Sequence, residues 1–357
     1  LAELDKFFTF LDKNKGSDLH LASNSKPMVR IHGTMVPINI EPLPPQTVEK
    51  MLLEIMPSRN QEEYRGTHDT DFAYELAGVA RFRCNAFRDR HGPGGVFRII
   101  PTKILTADDL GLPPAVREFC NMPKGLVLVT GPTGSGKSTT LCAMIDLINQ
   151  TRKDHIITIE DPIEFVHENK MCMINQREVH GHTESFARAL RAALREDPDI
   201  VLVGEMRDLE TTHIAIETAE TGHLVFGTLH TTTASSTVDR LIDQFPADRQ
   251  EQIRVMLGNN LKGIVAQTLL KKKDGKGRVA ALEVLVVTTA ISNVIREKKS
   301  FQIPSLMQVN AKVGMVCLND ALVKLVLEDK VEPAEALSKA VDKEDLRTKL
   351  RVAGFQV

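Results

Sequence analysis

The chain of 357 residues has no tryptophan, two tyrosines and only 4% aromatic residues. A protein that stacks on nucleic-acid bases uses an aromatic platform, so a helicase-like role starts without its main tool. Neither sign of charge is in excess. Lys+Arg number 45 and Asp+Glu 47, leaving a net charge of -2, which excludes coating of nucleic acid by bulk charge, though not a local patch. Long apolar runs are missing too. The longest covers five residues, 141–145, against the roughly 20 that a membrane-spanning helix needs. The opening residues lack the basic start and apolar stretch of a secretory signal. The five cysteines, Cys84, Cys120, Cys142, Cys172 and Cys317, form no CxxC pair, which argues against a disulfide scaffold and a cysteine zinc site. A reducing cytosol is the expected home. With 42% hydrophobic residues and no low-complexity tract, disorder is not expected.

Length alone predicts two or three domains, and the pattern along the chain changes once. Residues 1–100 read as a mixed α+β domain. Leu4, Phe7, Phe8 and Leu11 share a helical face, and the alternation at Leu19, Leu21, Val29 and Ile31 predicts strands. Residues 79–87 and 96–100 flank a Gly-Pro-Gly-Gly turn and predict an antiparallel pair. Residues 101–114, with three prolines and an acidic pair, are expected to be a linker. From 115 to 357 short apolar runs at 126–129, 156–159, 200–203 and 224–226 alternate mostly with helical stretches. That grammar predicts a largely parallel sheet covered by helices, with a helical tail from Leu318 onward.

The strongest motif is Gly131-Pro-Thr-Gly-Ser-Gly136-Lys137-Ser138, which fits G-x-x-x-x-G-K-[ST]. By composition, a chain of this length matches that pattern by accident about one time in a hundred. The context makes it more than a glycine-rich turn: an apolar strand precedes it, and the stripe Leu141, Met144, Ile145, Ile148 follows. Glycines let backbone N–H groups converge on phosphate oxygens, and the helix N-terminus adds its dipole. Gly131, Thr133, Gly134, Ser135, Gly136, Lys137, Ser138 and Thr139 are the expected nucleotide-binding residues. Lys137 would meet the β- and γ-phosphates, and the Ser138 hydroxyl would ligate Mg²⁺.

Acidic residues follow the later strands, where open α/β sheets bind ligands. Residues 156–159 lead into Glu160-Asp161-Pro162-Ile163-Glu164, and residues 200–203 into Gly204-Glu205. Glu205 has the form of a Walker B carboxylate and is the expected partner of Ser138 at Mg²⁺. Glu164 is a candidate general base for water. Against this, Glu160, Asp161 and Glu164 can equally cap a helix or face solvent, and Asp-Pro is a common turn and helix start. His230, four residues beyond the run 224–226, is placed to sense phosphate, whereas His223, at the strand entrance, reads as structural. His180 and His182 read as loop residues, since no zinc-like spacing is present. Arg81 and Arg83 share a strand face, with Arg98 on the partner strand. They are either a solvated basic face or arginines that reach a neighbour's γ-phosphate. Arg188, Arg191 and Arg195 recur at helical spacing, and 271–278 reads as a solvated hairpin turn.

Four boxes in this order identify the chain as similar to the secretion ATPases of type II secretion and type IV pili, within the additional-strand P-loop ATPases. They are GPTGSGKSTT at 131–140, TIEDPIEF at 158–165, GEMRD at 204–208 with ETAETGH at 217–223, and GTLHT at 227–231. GSDLHL at 16–21 resembles the family's N-terminal domain, and AISNVIRE at 290–297 resembles a signature of its retraction motors, with Ser292 in place of an arginine. The resemblance implies a PAS-like N-terminal domain followed by a RecA-like ATPase domain, binding ATP and Mg²⁺. It assigns Lys137 and Ser138 to Walker A, Glu205 to Walker B, Glu164 to the catalytic glutamate and His230 to the His box. Arg83 and Arg98, fifteen apart as in the family's finger pair, become expected catalytic residues. It further implies a homohexamer in the cytoplasm, peripheral to the inner membrane, docked on a PilC-like platform protein and served in some systems by an accessory retraction ATPase. The expected function is ATP-driven pilus retraction. The alternatives are an accessory, assembly or secretion ATPase of the same family, or a regulatory subunit that binds nucleotide without turnover. No nucleic-acid partner is expected.

Overall fold

Leu4, Phe7, Phe8 and Leu11 are buried around the first helix, α1 (Asp5–Lys13). The structure, a computed structural model, describes residues 2–31, 33–100 and 104–356. Two units divide the chain, Leu1–Lys103 and Ile104–Val357.

In the first unit, α1 is followed by β1 (Gly16–Ala22), β2 (Met28–Ile31), β3 (Thr34–Pro37), α2 (Pro45–Ile55), α3 (Ser58–Thr67), β4 (Asp69–Leu76), β5 (Ala80–Asp89) and β6 (Gly92–Ile100). The strands form one antiparallel sheet in the order β3-β2-β1-β6-β5-β4. One face is apolar. Leu19, Leu21, Val29, Phe82, Cys84 and Phe97 pack there with Phe8 of α1 and with Val48, Met51 and Leu52 of α2. Asp18, Arg30, Arg83 and Arg98 belong to the alternate positions, as a one-sided antiparallel sheet requires. The expected pair at 79–100 is observed as β5 and β6. Helix α3 had no apolar stripe to announce it: only Tyr64 of its ten residues is buried.

The second unit runs α4 (Pro114–Asn121), β7 (Gly125–Thr130), α5 (Lys137–Thr151), β8 (His155–Glu160), β9 (Met173–Glu178), α6 (Phe186–Ala193), β10 (Ile200–Val203), α7 (Leu209–Glu220), β11 (Leu224–Leu229), α8 (Ala234–Asp243), α9 (Gln250–Asn260), β12 (Leu261–Lys271), β13 (Arg278–Val286), α10 (Thr289–Arg296), α11 (Ile303–Val309), α12 (Leu318–Leu327), α13 (Pro333–Lys339) and α14 (Lys343–Val352). Its sheet has the order β13-β12-β7-β11-β10-β8-β9, all parallel except β13. Apolar clusters cover both faces. This double burial is why the strands read as unbroken apolar runs: every residue of β7, β10 and β11 is buried.

The expected linker needs correction. Of the expected linker, residues 101–103 lie outside the described residues, and much of the remainder packs onto the second unit. Ala107 and Leu112 are buried there, and Arg117 donates to their carbonyls at 2.9 Å each. Of the two readings of Asp161-Pro162, the structure takes the turn: it opens an irregular loop leading to β9. In 290–297, helical spacing puts Ala290, Ile291, Val294 and Ile295 on one face; Ile291, Val294 and Ile295 are buried, while Ala290 is exposed. Arg296 is exposed and also ties α10 to the end of α9, donating to Asn259 Oδ1 at 2.5 Å and to Gly258 O at 3.4 Å.

Candidate active site

The loop 131–136 leaves the C-terminal end of β7 and enters α5 at Lys137. Gly131, Gly134 and Gly136 have φ of 144°, 76° and 89°, values that a side chain strongly disfavours. The Lys137 ammonium is folded back on the loop, donating to Gly131 O at 2.8 Å and Pro132 O at 3.2 Å. Burial draws its pKa below the usual lysine value, against the attraction of Glu205 and Glu164. The Ser135 Oγ is buried without a hydrogen-bond partner among the described residues.

The carboxylates come from two neighbouring strand ends. Glu205 follows β10, and its backbone is held on both sides by Thr228 of β11. The Thr228 hydroxyl donates to Gly204 O at 2.5 Å, and Met206 N donates to Thr228 O at 3.0 Å. Glu205 Oε1 lies 2.7 Å from His230 Nε2 and is also paired with Arg207. Burial pushes the Glu205 pKa up, but hydrogen bonds from Arg207 and His230 outweigh it and leave it below the usual carboxylate value. Glu205 is thus held as an anion. Glu160, at the end of β8, is the opposite case. Burial raises its pKa, despite hydrogen bonds from Thr158 Oγ1 at 2.6 Å and Gln176 Nε2 at 3.1 Å.

Glu164 is exposed on the loop after β8. That loop is tied down from β9. Gln176 donates to Phe165 O at 2.8 Å and accepts from His167 N at 2.8 Å, while Glu178 accepts from Ile163 N at 3.1 Å. Glu164 therefore stands on an anchored segment with its carboxylate in solvent, as a base that meets water requires. Beneath it, Ser138, Cys142, Thr158, Glu160, His167 and Thr228 are among the residues around a cavity of about 40 Å³. Ser138 thus shares this cavity with Glu160, while Glu205 pairs with His230. Cys142 Sγ and His167 Nε2 are 3.6 Å apart, but burial pushes the thiol far up and the imidazole down to about 4. This pair stays neutral and is no thiolate nucleophile.

In the first unit, Arg83 and Arg98 are directly opposite each other on β5 and β6. Both are exposed. Arg98 Nε donates to the buried Asp18 at 2.8 Å, and Arg30 lies 3.6 Å from the same carboxylate. Burial raises the Asp18 pKa, but hydrogen bonds from Ser17 and Arg98 prevail and lower it. Arg83 has no ion pair among the described residues.

Other candidates find plainer places. His223 Nδ1 is 3.1 Å from Thr218 O at the end of α7, a structural contact. His182 Nδ1 accepts from Glu178 N at 3.0 Å within a tight turn. Arg188 and Arg191 pair with Glu184 and Glu210, and Arg195 falls beyond the end of α6. No group of three potential metal ligands among His, Cys, Asp and Glu occurs among the described residues, and no described helix is long and apolar enough to cross a membrane. Sequence reasoning gave no role to Arg207, Gln176 or Gln267. Arg207 lies in the quoted GEMRD box, and Gln267 is a lone amide inside the apolar run of β12, whereas Gln176 left no signal.

Strand β11 lies between the loop strand β7 and the acidic strand β10. That inserted strand makes the second unit a RecA-like domain of the additional-strand P-loop class. Residues 3–330 match the type II/IV secretion system protein family, and the chain belongs to that family. It is 50% identical over 338 residues to the type IV pilus retraction ATPase PilT of Pseudomonas aeruginosa, covering 95% of this chain and 98% of the relative. It is 37% identical over 350 residues to the type IV pilus ATPase PilU of the same organism, covering 98% and 92%. A crystal structure of the pilus retraction motor PilT with bound ADP superposes with a TM-score of 0.92 at 45% identity, covering 98% of this chain and 99% of that one.

Proposed function

We propose that this protein is an ATP-hydrolysing motor that powers retraction of type IV pili. The observation that carries the reading is Lys137 on a glycine loop within the field of an anionic, His230-bonded Glu205, in a chain half identical to a retraction ATPase along nearly its whole length. The lower identity to PilU favours the retraction motor itself over an accessory ATPase. The two units would act as a PAS-like N-terminal domain (1–100) and a RecA-like ATPase domain (115–357). The assembly would be a cytoplasmic homohexamer, peripheral to the inner membrane on a PilC-like platform protein, with an accessory ATPase as a further partner.

ATP fits the loop: Lys137 supplies a point charge for the β- and γ-phosphates, and backbone N–H groups at the start of α5 face the anion. Mg²⁺ fits the oxygen donors nearby. Ser138 would hold it with Glu205 or Glu160, and the bound ion would neutralise charge on the phosphates. Glu164 accepts the proton of the attacking water. His230 holds Glu205 in one orientation. Arg83 and Arg98 reach the γ-phosphate held by a neighbouring subunit.

Glu164→Gln is expected to bind ATP normally and hydrolyse it about 10²–10⁴ times more slowly, because a carboxamide cannot accept the proton. Single-turnover hydrolysis beside nucleotide binding measures this, and near-normal turnover moves the base elsewhere, Glu205 being next. Deletion in the native host tests retraction itself. Surface filaments should accumulate while twitching stops. Loss of filaments would instead assign the chain to assembly.

A further inference from the structure

Gln267 is 5% exposed on β12, the strand that flanks β7 on the side away from the acidic strands. Its Nε2 donates to Ser135 O at 2.7 Å, inside the phosphate loop, and its Oε1 accepts from Thr140 Oγ1 at 2.6 Å, in the first turn of α5. One buried amide thus spans the loop and the helix that the loop enters. The loop is also shaped around this residue. A methyl group on Gly131 would lie 2.2 Å from Gln267 O, and one on Gly136 2.8 Å from Gln267 Nε2. The first contact is with the backbone of β12, which passes close under the loop, and the second is with the side-chain amide itself, so Gly136 leaves room for that amide as well as for phosphate. A free glycine loop pays conformational entropy when it orders on a ligand. An amide that already ties the loop at Ser135 to the first turn of α5 at Thr140 removes part of that cost.

We propose that Gln267 is a positioning residue for nucleotide binding: it holds the phosphate loop in its anion-binding shape before ATP arrives. It touches no phosphate and acts through Ser135 and Thr140. The proposal rests on the phosphate-loop reading of residues 131–138.

The test compares Gln267→Met, which keeps the side-chain length without the two hydrogen bonds, with wild type. Titration with a fluorescent ADP analogue should give about tenfold weaker affinity or more, the loss expected when two buried hydrogen bonds that order the site are removed. Hydrogen exchange of the 131–136 amides in the nucleotide-free protein should quicken, while the amides of β10 and β11 stay protected. Unchanged affinity with unchanged loop exchange overturns the proposal. So does a loss of affinity that only follows loss of protection throughout the sheet. If Gln267→Met fails to fold, Thr140→Val removes one of the two bonds at constant volume. Its affinity should fall about threefold or more, and wild-type affinity overturns the proposal. Lys137→Ala separates the two levels. Normal ADP binding in that variant would remove the phosphate-loop reading itself, whereas its loss beside a normal Gln267→Met would remove this inference alone.

Discussion

Lys137→Ala should lower ATP affinity by about a hundredfold or more, the equivalent of losing one or two charge-assisted hydrogen bonds, and turnover should disappear with it. Among the described residues the Lys137 ammonium bonds only loop carbonyls, Gly131 O and Pro132 O. Its removal therefore takes no support from the sheet, and the nucleotide-free protein should unfold at nearly the wild-type temperature. Burial already disfavours the charged form of this lysine. A phosphate would relieve that cost, which concentrates the effect in the bound state. Calorimetric titration with ATP beside a thermal melt measures both quantities. Normal affinity would mean that residues 131–138 are only a turn between β7 and α5.

Arg83→Ala and Arg98→Ala should each reduce steady-state ATPase activity by about a thousandfold, the size of an arginine-finger effect in other phosphoryl-transfer enzymes, while a single subunit still binds ATP. Both are exposed on one face of the sheet, as residues that reach a neighbour must be. Arg98 is held at Nε by a buried carboxylate, which fixes its position, and Arg83 stands opposite it in register. If they act across a subunit boundary, mixed rings of Arg98→Ala with Lys137→Ala should regain activity where an intact loop meets an intact arginine. The measurement is the ATPase rate against mixing ratio, with mixed assembly verified by differential tagging. A flat profile would assign the arginines a structural or same-subunit role.

The phosphate loop was legible because its chemistry is local. Eight consecutive residues carry the glycines, the lysine and the hydroxyl, and β7 and α5 on either side each have a clear periodicity. Glu205, Glu164 and His230 were legible as residues after apolar runs, since parallel strands buried on both faces end where polarity returns. Less was visible where the pattern was weak. Helix α3 buries one residue of ten, and β9 is an edge strand that buries only Ile174, so neither carries enough apolar spacing to stand out.

By itself, the amino-acid sequence determined the two-part organisation, the parallel sheet of the second part, the nucleotide loop and the set of charged residues at the strand ends. Only the tertiary structure decided how those residues pair. It joined Glu205 to His230, placed Glu160 rather than Glu205 in the cavity with Ser138, set Asp18 behind Arg98 and brought Gln267 under a loop 132 residues away in sequence from its bond at Ser135. The division has one physical cause. Periodicity and turn chemistry are properties of neighbouring residues, whereas hydrogen bonds between strand ends depend on strand order, and strand order is set by the packing of the whole sheet against its helices.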